Sequence, residues 1–385
     1  MNYRKRNISA LAGYFASGCK NEKLLGLELE HFVVDKQTRR SLHYEKGVDL
    51  LLTRLQPLYG TPILSQEHII GISGKDASIT LEPAAQLEIS IKPLHNISEI
   101  ARIYDEFINI LTPILDDMDC ELVCAGYHPK SKADELPLIP KSRYKYMDTH
   151  FKSTGTRGKY MMKGTAATQV SIDYSGEADF SKKYRVASIL SPLFSLICDN
   201  THVFEGQPFT GKMVRTYIWN DVDPGRSMIV RGALDGDFGF NDYAAYVYGT
   251  SPIFLLDGDD VIYTGSKSNA ELFADRLMMP EDIEHVASMV FPDVRLKKCI
   301  EIRMADSMPI DSVIDYLSLL KGIFYNESNL NSIYQQTLGV GNSEVEAAKE
   351  ELMVKGADAM IYGKSAEEWI SNLKLNHYRA AAGCS

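Results

Sequence analysis

The chain of 385 residues could form one large domain or two ordinary ones, and its length does not decide between them. A hydrophobic content of 45% and a charged content of 24% are typical of a soluble globular protein, and a net charge of −10 argues against a general nucleic-acid-binding protein. No apolar run approaches the ~20 residues of a membrane-spanning helix, so neither nucleic acid nor membrane is an expected partner. The six scattered cysteines, without CxxC or zinc-like spacing, predict reduced thiols in a cytoplasmic protein.

Helix-like and strand-like segments alternate through the first half of the chain. Apolar residues recur every three to four positions in the predicted helices and every second position in the predicted strands. The predicted elements are a helix near 8–16, a strand over 26–32, a helix over 48–58, a strand-like stretch over 79–90, a helix over 98–118, a short strand over 121–126 and a proline-containing loop over 128–156.

The second half continues without a repeat or a clear linker. Its predicted elements are a strand over 164–174, a helix over 178–200, a loop-rich segment over 210–231, a strand-like stretch over 294–303 and mostly helix from 309 to the C-terminus. Strands that are polar on one side and apolar on the other are typical of antiparallel sheets. The pattern predicts the α+β class, with residues 1–385 in a single domain whose sheet curves around a polar cavity and whose residues 310–385 are mostly helical.

Three of the strand-like stretches carry acidic residues on one face and apolar residues on the other. The stretches GLELEHF, ITLEPAAQLEIS and VRLKKCIEIR contribute in turn Glu28 and Glu30, Glu82 and Glu88, and Glu301. Side chains alternate across a strand, so each set would share a face. Five carboxylates gathered on one sheet would repel one another, and Mg²⁺ prefers such hard oxygen donors. The pattern therefore predicts a metal site, with solvated edge strands or ion pairs as the alternative.

Basic residues accompany the third acidic stretch. Arg295, Lys297 and Arg303 share the parity of Glu301, so the cations and this carboxylate would line one wall. Arginine suits phosphate oxygens and carboxylates and stabilises the charge on a transferring phosphoryl group. Plain cross-strand pairing between Glu and Arg is the alternative. Arg215, in the loop-rich segment, is a further candidate for binding an acidic substrate.

Other common active-site motifs are absent from the sequence. It contains no GxxxxGK[ST] phosphate-binding loop and no GxSxG nucleophile elbow. Its histidines show no HExxH spacing, and nothing in the sequence marks one cysteine as a nucleophile. The candidate chemistry therefore rests on the carboxylates and arginines.

Taken together, the motifs resemble the glutamate–cysteine ligases of the plant and proteobacterial type. The resemblance runs from about residue 20 to residue 330 and is carried by five segments in the same order: GLELEHF (26–32), ITLEPAAQLEIS (79–90), TQVSID (168–173), RTYIWNDVD (215–223) and VRLKKCIEIRMAD (294–306). The plant proteins have Gly-Gly where this chain has Ala84-Ala85, and their regulatory cysteine pairs have no obvious counterparts here.

The resemblance implies the glutamine-synthetase-like carboxylate–amine ligase fold, in which an antiparallel sheet forms a funnel holding ATP and two or three Mg²⁺ ions. It implies phosphorylation of the γ-carboxylate of L-glutamate by ATP and attack by the amine of L-cysteine, the first step of glutathione biosynthesis. The implied site residues are Glu28, Glu30, Glu82, Glu88 and Glu301 for the metal, Arg303 and Glu301 for catalysis, Arg215, Gln169, Met162, Thr165 and Trp219 for substrate, and Arg295 and Lys297 for the nucleotide.

Three alternatives remain open at this point. The same ligase chemistry could serve a different amine or a different acid, because the departures from the family pattern concern the acceptor rather than the ATP and Mg²⁺ residues. A non-catalytic ligand-binding protein could share the fold. A carbohydrate-active enzyme could use paired carboxylates, although the arginine-bearing strand disfavours it. We expect small-molecule substrates as partners and a monomer or a homodimer.

Overall fold

The computed structural model describes residues 2–258 and 260–382, with side chains to residue 374. Cys384 therefore lies outside the described residues. The α-helices are α1 (Tyr3–Ala16), α2 (Val48–Tyr59), α3 (Ile97–Asp117), α4 (Ser142–Phe151), α5 (Gly158–Gly164), α6 (Glu177–Ile197), α7 (Val214–Trp219), α8 (Phe240–Gly249), α9 (Asn269–Leu272), α10 (Pro280–Ser288), α11 (Ile310–Phe324), α12 (Glu327–Gln336), α13 (Asn342–Lys355) and α14 (Ala366–Ala382).

The strands alternate with these helices along the chain. They are β1 (Leu25–Asp35), β2 (Thr61–Ser65), β3 (His68–Ser73), β4 (Ala77–Leu81), β5 (Leu87–Leu94), β6 (Cys120–Val123), β7 (Ala167–Ile172), β8 (Val203–Phe204), β9 (Gln207–Pro208), β10 (Ser227–Met228), β11 (Ile253–Asp257), β12 (Asp260–Gly265), β13 (Phe291–Pro292), β14 (Val294–Leu296), β15 (Ile300–Asp306), β16 (Met360–Ile361) and β17 (Lys364–Ser365).

One large sheet organises the molecule. Its strands lie in the order β14-β15-β7-β1-β5-β4-β3-β2, and β6 pairs with the far end of β1. Every pairing within this sheet is antiparallel. The predicted α+β class and mainly antiparallel sheet are therefore confirmed.

The two faces of the sheet differ in the way that the strand patterns predict. Leu27, Leu29, Ile89, Val170 and Ile302 are fully buried or nearly so on one face, where α3, α6 and α11 cover them. Helix α3 buries a side chain every three to four residues along one stripe, whereas α6 is buried on nearly all sides and crosses the core. The polar residues of the same strands occupy the opposite face, above which α4, α5 and α7 lie.

Strand register places the polar residues next to one another. Glu30 lies directly opposite Glu88 on the neighbouring strand, and Glu28 lies opposite Gln169. Arg295 lies opposite Glu301 across the β14–β15 hairpin. Directly opposed residues in antiparallel strands have Cβ atoms about 5 Å apart. The sheet therefore brings together residues as far apart in the sequence as Glu28 and Glu301.

The prediction of one strand-like stretch over 79–90 was wrong. β4 ends at Leu81 and β5 begins at Leu87, and a tight turn over 82–86 separates them. Ala85 in this turn has a φ of 69°, a left-handed conformation usually left to glycine. Glu82 therefore lies in a turn rather than on a strand. The turn depends on the left-handed conformation of Ala85, which an alanine in the sequence does not predict.

Two predicted loops contain helices. The loop predicted over 128–156 contains α4, and the loop-rich segment over 210–231 contains α7. The strand predicted over 164–174 is shorter, since α5 ends at Gly164 and β7 begins at Ala167. Helix α4 has ten residues and α7 has six, too few for a clear apolar periodicity. The prediction of a loop over 128–156 was wrong at α4, whereas 210–231 is loop-rich as predicted apart from α7.

The C-terminal part is mostly helical, as predicted. Helices α11 to α14 follow the last strand of the large sheet, with a small β16–β17 hairpin before α14. Lys349 of α13 is fully buried, and its Nζ lies 2.7 Å from Oδ2 of Asp293 and 3.2 Å from Oε2 of Glu346. This buried ion cluster joins α13 to the segment entering β14. None of the described helices is long and apolar enough to cross a membrane.

Candidate active site

A cavity of about 290 Å³ lies over the polar face of the sheet. Every predicted site residue except Glu301 and Lys297 lines it. These lining residues are Glu28, Glu30, Glu82, Glu88, Met162, Thr165, Gln169, Arg215, Trp219, Arg295 and Arg303. The structure therefore brings together residues from β1, β5, β7, β14, β15, the 82–86 turn, α5 and α7.

Four of the glutamates form a carboxylate cluster within this cavity: Glu28, Glu30, Glu82 and Glu88. Burial and the charges of Glu88 and Glu301 raise the pKa of Glu28 to about 7. Burial and the charges of Glu82 and Glu88 raise the pKa of Glu30 well above its usual range. The pKa values of Glu82 and Glu88 are raised as well, again chiefly by burial. Burial is the largest of these effects, and mutual repulsion among the carboxylates adds to it.

Glu301 is in the opposite electrostatic situation. Its carboxylate lies 2.6 Å from Arg295, 2.7 Å from Lys297 and 3.7 Å from Arg303. Burial alone would raise the pKa of Glu301, but these three cations outweigh it and lower the pKa to about 2. Glu301 therefore stands apart from the carboxylate cluster, as the centre of a basic group.

A second, smaller pocket of about 130 Å³ adjoins the first. Glu301, Ser90 and Ser171 line it, and Glu28 and Gln169 line both pockets. The two spaces thus meet at Glu28 and Gln169. Arg295 and Arg303 of the basic group line the main cavity, whereas Glu301 lines the smaller pocket.

A β-bulge in β15 shapes the wall between the two pockets. Ile302 pairs with Val170 and Ala305 with Thr168, so β15 has one residue more than β7 over this interval. Such bulges re-aim side chains and free backbone groups from the ladder. Arg303, within the bulge, donates a hydrogen bond to Oε1 of Gln169.

The bulge also holds Arg215 in place. Its Nη1 donates to the carbonyl oxygens of Met304 (3.2 Å) and Ala305 (2.9 Å). The Nε of Arg215 and the indole Nε1 of Trp219 are buried and have no hydrogen-bond partner among the described residues. The guanidinium is hydrogen-bonded to neutral carbonyls, and its charge acts on the nearby carboxyls of Glu30 and Asp306. A cation without a direct ion pair is suited to an anionic ligand.

Sequence reasoning missed a second basic region beside the carboxylate cluster. Lys141 and Arg143 lie at the N-terminal end of α4, and their charges lower the pKa of Glu82 against the larger effect of burial. Burial and the charge of Arg143 lower the pKa of Lys141 to about 8. Arg143 and its neighbour Tyr144 line the main cavity. The segment KSRY (141–144) carries two positive charges, but it lies in a predicted loop, so the sequence did not place it near Glu82.

The remaining wall of the cavity is apolar. It is lined by Met147, Met161, Phe254, Leu256, Met289 and Phe291. Phe254 and Leu256 come from the β11–β12 hairpin, which is separate from the large sheet. The cavity therefore offers both charged and apolar recognition surfaces.

The carboxylate cluster fits Mg²⁺ in its chemistry. Its donors are hard oxygens, and they repel one another in a buried space, so a bound cation would relieve that repulsion. Within the described residues, no three His, Cys, Asp or Glu side chains converge tightly enough to enclose an ion by themselves. Magnesium usually completes its shell with water and substrate phosphates, so an open set of carboxylates is adequate for it.

Five described cysteines are free thiols, as predicted: Cys19, Cys120, Cys124, Cys198 and Cys299. Burial raises the pKa of Cys299, the one next to the basic group, to about 12. A thiol with such a pKa is a poor nucleophile near neutral pH. The thiols therefore add nothing to the chemistry of this site.

Comparison with known proteins agrees with the site. The chain is 28% identical over 355 residues to the chloroplastic glutamate–cysteine ligase of Brassica juncea. This alignment covers 90% of this chain and 69% of the relative. It is also 28% identical to chloroplastic glutamate–cysteine ligase B of Oryza sativa subsp. japonica, over 90% of this chain and 72% of that protein.

The fold has a counterpart among solved structures. The glutamate–cysteine ligase of Francisella tularensis, crystallised in complex with AMP, superposes with a TM-score of 0.56 and 9% sequence identity, over 93% of this chain and 78% of that one. The model of the glutamate–cysteine ligase family 2 matches residues 24–374. This chain belongs to the glutamate–cysteine ligase family 2.

Proposed function

We propose that this protein is an ATP-dependent glutamate–cysteine ligase, which joins the γ-carboxylate of L-glutamate to the amine of L-cysteine and forms γ-glutamylcysteine. The observation that carries the proposal is a cavity that brings the carboxylate cluster together with Arg215, Arg295 and Arg303 and meets a second pocket at Glu28 and Gln169. Family membership and the names of the relatives support the same reaction.

The wall of the main cavity that Arg295 and Arg303 line suits the triphosphate of ATP. Arg295, Lys297 and Arg303 gather around Glu301, and phosphate oxygens are natural partners for arginine and lysine. In this assignment Arg295 and Lys297 bind the nucleotide. Arg303 lies at the junction of the pockets and stabilises the phosphoryl group during its transfer.

The main cavity suits glutamate. Arg215 is the cation there whose partners are neutral carbonyls, so we assign it to the α-carboxylate of the substrate. Gln169, Met162, Thr165 and Trp219 line the same cavity and would lie against the rest of the amino acid. The γ-carboxylate would then point towards Glu28 and Gln169, where the pockets meet.

Two or three Mg²⁺ ions, held by Glu28, Glu30, Glu82, Glu88 and Glu301, would neutralise charge on the phosphates. The reaction itself needs little covalent help from the protein. The γ-carboxylate oxygen attacks the γ-phosphorus of ATP, ADP leaves, and γ-glutamyl phosphate forms while Arg303 stabilises the equatorial oxygens. The amine of cysteine then attacks the acyl carbon, the C–O bond to phosphate breaks, and inorganic phosphate departs.

A panel assay tests the proposal. Purified protein is incubated with ATP, MgCl₂, L-glutamate and one of several amines, and both ADP and product mass are measured. We expect ADP in equal amount to γ-glutamylcysteine, with L-cysteine the best acceptor. ADP formed only with other amines would overturn the choice of cysteine and keep the ligase class. No ADP with any amine would overturn the ligase class.

The remaining assignments are also proposals. We expect the enzyme to act as a monomer or a homodimer on small molecules alone, with no nucleic acid or membrane as partner. The curated relatives are named as chloroplastic proteins, whereas the free thiols and acidic composition of this chain favour a cytoplasmic location. Fractionation of the source cells would test that location.

A further inference from the structure

Gln86 makes a side-chain link in the wall of the main cavity that the proposed mechanism does not use. It lies in the 82–86 turn and is 3% exposed. Its Oε1 accepts a hydrogen bond from the backbone N–H of Ala84 at 2.9 Å. Its Nε2 donates to the carbonyl oxygens of Met162 at 3.3 Å and Thr165 at 3.0 Å. Both of its N–H donors are therefore used.

The two segments that Gln86 joins carry different parts of the site. The turn contains Glu82 and leads directly into Glu88, so it positions half of the carboxylate cluster. Residues 162–165 end α5 and line the part of the cavity assigned to glutamate. The Met162 carbonyl belongs to the last turn of α5, where carbonyls lack a partner within the helix.

The other hydrogen bonds of the turn lead elsewhere. The hydroxyl of Tyr144 donates to the carbonyl of Leu81 at 3.1 Å, and the N–H of Ile139 donates to the carbonyl of Pro83 at 2.9 Å. These bonds tie the turn to α4 and to the segment before it. Gln86 instead connects the turn to the end of α5.

We propose that Gln86 is a positioning residue that couples cation binding at the carboxylate cluster to glutamate binding against residues 162–165. A cation that draws Glu82 and Glu88 together repositions the turn, and the buried amide transmits this shift to the segment that contacts glutamate. By linkage, glutamate must then strengthen cation binding by the same factor. The inference rests on the proposed function, because it takes glutamate as the acid.

A binding experiment tests this coupling without catalysis. Trp219 lines the cavity and the only other tryptophan is Trp369, so the Trp369→Phe background gives a single reporter. L-glutamate is titrated with ADP present, with and without saturating MgCl₂, and Trp219 fluorescence is followed. We expect magnesium to tighten glutamate binding at least ~5-fold in this background, the lower end of typical coupling. In Gln86→Met we expect less than a ~2-fold effect, because the link is absent.

Gln56→Met is the matched control. Gln56 also uses its side-chain Nε2 to hold a backbone carbonyl, that of Gly60 at 2.8 Å, but it lies on α2 away from the cavity. Its substitution should leave the magnesium effect on glutamate binding unchanged. Should Gln86→Met fail to fold, Gln86→Asn serves instead, since it keeps an amide that is one methylene too short to reach both carbonyls.

The outcomes are distinct. A magnesium effect as large in a folded Gln86 variant as in the parent, or no effect in the parent, overturns the coupling role. Loss of the effect in Gln56→Met as well would also overturn it, because the loss would then be a general consequence of destabilisation. ADP formation by the unsubstituted protein is measured on the same preparation, and its absence with every amine overturns the proposed function separately.

Discussion

Among single residues, Glu301 and the four glutamates of the carboxylate cluster have opposite electrostatic surroundings. Three cations surround Glu301 and lower its pKa to about 2, whereas burial and mutual repulsion raise the pKa of Glu28 to about 7. A carboxylate that is already neutralised organises the basic group around it. In the proposed function, Mg²⁺ supplies the positive charge for the carboxylates of the cluster.

Replacing Glu301 should therefore damage catalysis. In Glu301→Gln, Arg295, Lys297 and Arg303 lose their shared anion and with it their fixed positions. We expect kcat for ADP formation to fall at least ~100-fold, the scale for removing an electrostatic stabiliser of a transition state. Glu284→Gln is the control, because Glu284 is an exposed partner of Lys298. A wild-type rate in Glu301→Gln would remove Glu301 from the active site.

Replacing a glutamate of the carboxylate cluster should instead change the stability of the protein and its response to MgCl₂. Glu30 and Glu88 are directly opposed across two strands, and like charges in that position destabilise a sheet by up to ~1 kcal/mol. Glu88→Gln keeps acceptors for Thr80 and Ser90 but removes the charge. We expect the variant to raise the free energy of unfolding of the metal-free protein and to reduce the stabilisation that MgCl₂ provides.

Urea denaturation with EDTA and with MgCl₂ measures both quantities. Glu67→Gln, at an exposed surface position, is the control and should change neither. A Glu88→Gln variant that is less stable without metal, or that responds to MgCl₂ like the wild type, would contradict the account of the cluster.

The strand residues of the site could be predicted from sequence because alternation fixes which face a side chain occupies. Glu28, Glu30, Glu88, Glu301 and Arg303 all lie on the polar face, as their parity indicates. The roles of Gln86 and Arg143 were not predicted, although Gln86 lies in the strand-like stretch over 79–90 and Arg143 in the predicted loop over 128–156. Their partners are distant in sequence, and no local pattern specifies which carbonyl or carboxylate a long side chain will reach.

Among the elements, short irregular ones do much to complete the site. The 82–86 turn, α7 and the bulge in β15 position Glu82, Arg215 and Arg303 respectively. None of these three was predicted. A six-residue helix has too few turns for a periodic signal, and a bulge depends on the register of a strand over a hundred residues away.

A buried ion network anchors α4 to the segment after α7. Oδ2 of Asp223 lies 2.8 Å from Nε2 of His150 and 2.7 Å from Nε of Arg226. Burial would raise the pKa of Asp223, but the hydrogen bond with His150 and the charge of Arg226 outweigh it and lower the pKa to about 2. The network should stabilise the wall of the cavity that α4 forms.

Asp223→Asn should destabilise the protein by about 3 kcal/mol, because it leaves the buried guanidinium of Arg226 without its anion. A lowered carboxyl pKa stabilises the fold above the pKa of the unfolded state, about 3.9, and the effect is lost as pH falls through the folded value. The difference in melting temperature between wild type and variant should thus be constant above about pH 5 and shrink below about pH 4.

The exposed Asp117, which pairs with Arg54, is the control for this experiment. Asp117→Asn should cost less than ~1 kcal/mol at any pH. A difference for Asp223→Asn that persists unchanged at low pH would show that its carboxylate charge is not what stabilises the network.

At the scale of the whole molecule, the C-terminal helices are tied to the catalytic sheet through the buried cluster of Lys349, Asp293 and Glu346. We predicted one domain over 1–385. Because the cluster joins α13 to the sheet, we expect the two to unfold in a single transition. In Lys349→Met the carboxylate of Asp293, 3% exposed, loses its cation.

Lys349→Met should therefore destabilise the entire domain by about 3 kcal/mol rather than release the C-terminal helices alone. Calorimetry should show one transition in both proteins, at a lower temperature in the variant. The exposed pair of Lys355 and Glu351 provides the control Lys355→Met, with little change expected. Two separate transitions in the wild type would contradict the single-domain prediction.

The overall architecture was more predictable than the local elements, because it depends on many weak signals that agree. Alternating faces in several strands specified an antiparallel sheet with one polar side, and long amphipathic helices such as α3 specified what covers the other. The sheet order and the depth of the cavity were not accessible, since they depend on pairings between strands far apart in the chain.

In the proposed reaction, ATP activates the γ-carboxylate of glutamate by phosphorylation at the junction of the two pockets. The most direct measurement uses L-glutamate labelled with ¹⁸O in that carboxylate, together with ATP, MgCl₂ and L-cysteine, followed by mass spectrometry of the phosphate products. We predict that one ¹⁸O atom enters inorganic phosphate for each γ-glutamylcysteine formed. Label in AMP, or phosphate that remains unlabelled, would contradict the account.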